Sequence, residues 1–126
     1  MTRRQRQTAA ALAGVVVATT AFWIHGRAAG RPAGQVREVT VVGDQFAFSP
    51  GRVEVQKDDL VQIKFSSKDI AHSFTIDAPY RISKRAGPGQ TVVFEFRADE
   101  TGRFRFYCNL TQDERCRQMA GELVVR

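Results

Sequence analysis

From residue 36 onward, apolar and polar side chains alternate along short segments parted by Gly, Pro and Asp. A period of two, with no sustained helical period, predicts an antiparallel sheet protein. The first expected strand is 36–42, with Gly43 and Asp44 turning the chain into a second at 45–48. Ser49-Pro50-Gly51 forms a tight turn, Pro fixing φ and Gly tolerating positive φ. Segment 52–56 puts Val53 and Val55 on one face, and after Lys57-Asp58-Asp59 the segment 60–65 aims Val61, Ile63 and Phe65 inward. A polar loop, 66–69, leads to 71–76, where His72, Phe74 and Ile76 share the core face. Residues 77–86 read as irregular, ending at Gly87-Pro88-Gly89. Segment 90–97 then aligns Val92, Phe94 and Phe96, and 103–108 aligns Phe104, Phe106 and Cys108. A last strand is expected at 122–125. Seven or eight strands in roughly 90 residues imply a two-sheet sandwich or a barrel. Its core would hold the phenylalanines at 46, 48, 65, 74, 94, 96, 104 and 106.

The first part of the chain follows another pattern. Arg3, Arg4 and Arg6 precede an uncharged run at 8–24, closed by Phe22 and Trp23 and followed by His25, Arg27 and Arg31. As helix, that run rises about 25 Å, the short end for a hydrocarbon core of about 30 Å. A signal anchor or a signal peptide accounts for it. Arginines around the small residues at 28–30 make a poor cleavage site, so an uncleaved anchor over 1–26 is the expectation, with a flexible tether at 27–35 and one domain at 36–126. Preceding arginines place the N-terminus inside, so the domain is exported to a bacterial-type periplasm or the cell exterior, held at the inner membrane by 8–24.

The net charge of +6 raises nucleic acid as a partner, but its distribution excludes one. Five arginines and no acid lie in 1–35, whereas 36–126 holds 14 basic against 13 acidic residues. The folded part is near neutral and shows no basic stripe interleaved with aromatics. With one histidine in the domain, no serine or cysteine has a paired base, so neither an enzyme nor a small-molecule substrate is expected.

Chemistry-bearing residues concentrate near the C-terminus. Cys108, Cys116 and Met119, which include both cysteines of the chain, fall on one loop between two expected strands, and His72 faces the core from an earlier strand. Soft sulfur donors gathered on one loop suit a soft metal such as copper. In an exported domain the same pair equally suits a disulfide, worth about 2–3 kcal/mol for so short a loop. A lone strand histidine is often bonded to a backbone carbonyl, and Asp69 before it serves either as a turn carboxylate or to orient its ring.

The segments FSPGRVEVQKDD, DIAHSF at 69–74, GPGQTVVFEF at 87–96, GRFRFYC and MAGELVV together resemble the cupredoxins, within them the copper domain of cytochrome c oxidase subunit II and related single-domain proteins. The similarity covers roughly 46–125. It implies an all-β, Greek-key β-sandwich, with His72 as the first histidine ligand, Cys108 as thiolate and Met119 as axial thioether. Cys116 stands where that family carries its second histidine. Gln112 stands where dinuclear copper domains carry a second cysteine, so one copper ion is implied, held by His72, Cys108, Cys116 and Met119. The implied function is electron transfer or Cu(I) carriage, with a redox or copper-transfer protein as partner. The alternative is a metal-free structural or docking module with a Cys108–Cys116 disulfide.

Overall fold

The computed structural model describes residues 34–126. The expected anchor, and the tether up to residue 33, lie outside the described residues. Among those described, no helix is long and apolar enough to cross a membrane.

Nine strands occur among the described residues: β1 Val36–Asp44, β2 Ala47–Ser49, β3 Arg52–Val55, β4 Leu60–Ser67, β5 His72–Ile76, β6 Ile82–Ala86, β7 Thr91–Arg97, β8 Gly102–Tyr107 and β9 Ala120–Val125. They form two sheets, ordered β2-β1-β4-β7 and β3-β9-β8-β5-β6. Both orders are non-consecutive and the chain crosses between sheets, so the molecule is a sandwich, not an up-and-down barrel. β1 runs parallel to β4 and β3 parallel to β9, while the other pairings are antiparallel.

Alternation placed the core where it is found. Val61, Ile63 and Phe65 of β4 are buried, as are Val53 and Val55 of β3. Between the sheets, Phe74 of β5 stacks on Phe106 of β8 with ring centroids 4.7 Å apart, and Phe48 meets Phe106 edge-on at 5.1 Å. Pairs of this kind add about 0.5–1.5 kcal/mol beyond the burial of their area. His72 lies two residues before Phe74 and Cys108 two after Phe106, and β5 runs antiparallel to β8. The aromatic stack therefore fixes both residues at one end of the sandwich, on its inner side.

Four expectations need correction. Residues 77–86 are not irregular throughout: β6 pairs with β5 from His72↔Ala86 to Ile76↔Ile82. Only its ends, Ile82 and Ala86, are buried, and Ser83, Lys84 and Arg85 between them are exposed. An edge strand carrying charges needs no alternation, which is why the pattern missed it. β1 runs through Gly43 to Asp44, because its pairing with β4 continues to Gly43↔Ser67. The turn consequently falls at Gln45-Phe46, and Phe46, like Phe96 and Phe104, packs partly buried against the core instead of inside it. The sulfur loop contains a 3-10 turn, Glu114–Gln118, capped by Asp113, and β9 begins at Ala120.

Candidate metal centre

Sequence signals put His72 on a core face, and the fold completes its surroundings. The Ser67 hydroxyl donates to Ala86 O at 2.9 Å and accepts from His72 N–H at 3.1 Å, pinning the start of β5. Gly43 lies against the imidazole: a Cβ there would stand 3.2 Å from three His72 carbons. Nothing in the local sequence marks Gly43 or Ser67 for this role, because each reaches His72 through strand pairing.

The imidazole is fully buried, and its Nε2 lies 2.9 Å from Asp69 Oδ1. Asp69 is held in turn, Oδ1 accepting from Ile70 N–H at 2.7 Å and Oδ2 from Gln45 N–H at 3.1 Å. Burial pushes the Asp69 carboxyl upward, yet the hydrogen bonds from Ile70 and His72 outweigh it and hold the group below the usual carboxylate range. An ionised Asp69 accepts only, which puts the imidazole proton on Nε2 and leaves the Nδ1 lone pair free. Nδ1 is buried with no hydrogen-bond partner. Leaving such an atom unsatisfied costs about 1–3 kcal/mol.

The imidazole has two sulfur neighbours. His72, Cys108 and Cys116 each present one ligand atom, and the three lie within 4.8 Å of one another. All three residues are 0–1% exposed. Ser73 N–H points at Cys108 Sγ at 3.4 Å, and Met119 O accepts from Cys108 N–H at 3.3 Å. The 3-10 turn brings in Cys116, whose N–H donates to Asp113 O at 3.0 Å and whose carbonyl accepts from Met119 N–H at 3.0 Å. Met119 is buried next to the cluster in the chain. Gln112 is exposed, unlike these buried residues. Both cysteines are free thiols. An unpartnered imidazole nitrogen and two sulfurs sealed from water fit a soft metal ion, since thiolate and imidazole are its preferred donors and such an ion would satisfy Nδ1.

The loop is tied down over this cluster. Arg115 pairs with Asp113 at 2.8 Å and lays its guanidinium 4.4 Å from the centre of the Phe46 ring, which stands edge-on to His72 at 6.4 Å. Sequence gave Phe46 and Arg115 no link, because one sits in the β1–β2 turn and the other beside Cys116.

Burial, followed by the adjacent Cys108 sulfur, pushes the Cys116 thiol from 9.0 up to about 11. Unfolded, this thiol loses its proton near 9.0; folded, it holds it to about 11. Across that window the unfolded chain binds fewer protons, so stability must fall as pH rises, by up to about 1.4 kcal/mol per unit. Urea midpoints of the reduced, metal-free protein should therefore drop from about pH 8.5 to about pH 10.5, and more steeply than those of Cys116→Ala. Parallel profiles for the two proteins would contradict this.

Comparison with known proteins adds the following. The cupredoxin-like domain family matches residues 13–125. No curated protein sequence matches the chain. Among solved structures, a heme-copper terminal oxidase dimer superposes with a TM-score of 0.63 at 17% identity, over 71% of this chain and 65% of that one, so the present chain spans just under two thirds of it. The periplasmic domain of subunit II of cytochrome oxidase (CoxB) of Bradyrhizobium japonicum gives 0.63 at 16% identity, over 71% of this chain and 83% of that domain. Auracyanin A, a "blue" copper protein from Chloroflexus aurantiacus, gives 0.63 at 18%, over 72% and 99%. At these identities the likeness is one of fold.

Proposed function

The chain belongs to the cupredoxin-like domain family, and on that premise we propose that it binds one copper ion through His72, Cys108, Cys116 and Met119, and passes electrons or Cu(I) to a protein partner. The observation that carries this is the buried His72 ring, its Nδ1 unpartnered, with an imidazole nitrogen and two cysteine sulfurs within 4.8 Å of one another. The similar folds of a subunit II domain and of auracyanin A support it. Copper bound there would supply a one-electron couple between Cu(I) and Cu(II).

The chain's own residues set the terms. Asp69 fixes the imidazole tautomer, Gly43 leaves room for the ring, and the aromatic stack under β5 and β8 holds the donors before any ion arrives, which lowers the reorganisation on binding. Two cysteine ligands where a cysteine and a histidine are usual make the donor set softer, favouring Cu(I) over Cu(II). Carriage of Cu(I) is therefore the stronger of the two roles. The run at 8–24 would hold the domain at the outer face of an inner membrane, and the protein works by binding and transfer, not by catalysis.

Titration of the reduced protein with Cu(I) should stop at one equivalent, with both thiols protected from alkylation. In Cys116→His the donors become two imidazoles, one thiolate and a thioether, a set that holds Cu(II) and gives an intense visible thiolate-to-copper band. The natural protein should show that band weakly or lose it quickly. If alkylation instead finds the pair already oxidised and no copper is retained, the metal-free module with a Cys108–Cys116 disulfide takes its place.

A further inference from the structure

Beside the metal centre, on the outward face of the β3-β9-β8-β5-β6 sheet, lies a cleft of about 330 Å³ lined by Arg105, Tyr107, Cys108, Asn109, Thr111 and Arg117. Arg105 and Tyr107 point outward because Phe106 between them is buried. Arg117 comes from the 3-10 turn that also carries Cys116. The lining contains two arginines and no acid.

Its positive charge is not neutralised from the surroundings. Among the described residues neither Arg105 nor Arg117 forms an ion pair, and Arg105 instead lies 4.8 Å over the Tyr107 ring. Of the nearby carboxylates, Glu114 on the same 3-10 turn pairs with neither arginine, and three others are engaged elsewhere. Asp77 accepts from the Tyr107 hydroxyl at 2.8 Å, and Asp113 is taken by Arg115. Glu122, opposite Arg105 in register, is shared by Arg52 at 3.7 Å and Arg103 at 3.8 Å.

We propose that this cleft docks a carboxylate-bearing segment of an acidic partner protein, seating its carboxylates on Arg105 and Arg117 beside Cys108. A guanidinium presents a planar fork that matches a carboxylate. Tyr and Arg are the side chains enriched where proteins meet; Tyr107 contributes its ring, its hydroxyl being given to Asp77, while Thr111 and the second Asn109 Nδ2–H add donors around the two charges. A concave wall of this kind suits a protruding peptide better than a flat lipid surface. That the docked partner gives or takes copper or an electron rests on the function proposed above; the preference for acidic protein does not.

The test uses the full chain, metal-free, reduced, ¹⁵N-labelled and held in non-ionic micelles, titrated with hexaglutamate peptide at low ionic strength. Amide shifts should concentrate at 105–111 and 117. They should fade toward about 0.1 M salt, where the screening length is about 10 Å. The double variant Arg105→Glu/Arg117→Glu should bind at least about tenfold more weakly, because it sets like charges against the peptide. Lys57→Glu/Lys64→Glu, with the same change in charge, should bind as the natural chain does. All four residues are exposed, so the fold tolerates both pairs. The proposal is overturned if the shifts sit on the leader arginines or spread over every surface cation, or if both double variants weaken equally. It is also overturned if citrate matches the peptide, marking a small-anion site, or if vesicles with phosphatidylserine shift these residues while the peptide does not, marking a membrane surface. Because no copper is present, failure of the peptide to bind leaves the copper assignment standing, and failure of copper to bind leaves the peptide result standing.

Discussion

Cys108→Ser is expected to lower Cu(I) affinity by about a hundredfold or more. Removing even an outer partner of a metal ligand typically costs about 10- to 100-fold, and Cys108 is proposed as a donor to the ion itself. Its surroundings are built for a sulfur: it is 1% exposed, extends the inner face of β8 two residues beyond Phe106, and its Sγ meets Ser73 N–H at 3.4 Å. A serine oxygen is harder and ionises poorly at neutral pH, so the variant keeps the shape and loses the soft anionic donor. Burying a hydroxyl there would cost about 1–3 kcal/mol, partly offset because the Ser73 N–H can donate to it, so the fold should survive. Competition against a chromophoric Cu(I) chelator gives the affinity, and circular dichroism reports the fold. A folded Cys108→Ser protein that holds Cu(I) as tightly as the natural one would remove Cys108 from the site.

The second large effect falls on stability. Gly121 pairs with Phe106 across β8 and β9, and a Cβ on it would come 2.2 Å from Phe106 Cζ and 2.7 Å from Gly51 O. Neither neighbour can retreat. Phe106 is fully buried and stacked on Phe74, while Gly51 O accepts from Glu122 N–H at 2.9 Å. Gly121→Ala should therefore destabilise by about 3 kcal/mol or more, the upper end for overpacked cores. At Gly51 an added Cβ would meet only Phe48 O, at an ordinary 3.6 Å, so Gly51→Ala is the control and should change stability little. Urea midpoints of the two variants decide the matter, and a Gly121→Ala protein as stable as Gly51→Ala would show that the β9 backbone can shift. Since displacing Phe106 also displaces Cys108, a folded remnant of Gly121→Ala should bind Cu(I) more weakly than the natural chain.

These two expectations differ in how far the sequence reveals them. Alternation in 60–65, 90–97 and 103–108 identified strands and their inner faces, because side-chain direction in a strand depends only on the parity of position. Parity likewise put His72 and Cys108 on the core side. β6 escaped, since an edge strand with Ser83, Lys84 and Arg85 exposed carries no such signal. The 3-10 turn escaped because five residues are too few to show a period.

Sequence by itself thus determined an all-β fold and most of the core, properties set by residue type and local period, while the four side chains proposed for a metal came from resemblance to a family. Tertiary structure alone decided that the imidazole and the two sulfurs meet, that Asp69 leaves Nδ1 as the free nitrogen, that Gly121 has no room for a side chain and Gly43 little, and that Arg105 and Arg117 share one cleft. Each of these depends on which strands become neighbours, as in the approach of Ser73 to Cys108 across 35 positions of chain. Strand neighbours are chosen by the joint packing of Phe48, Phe74 and Phe106 between the sheets, an energy summed over distant segments that no short window of residues contains.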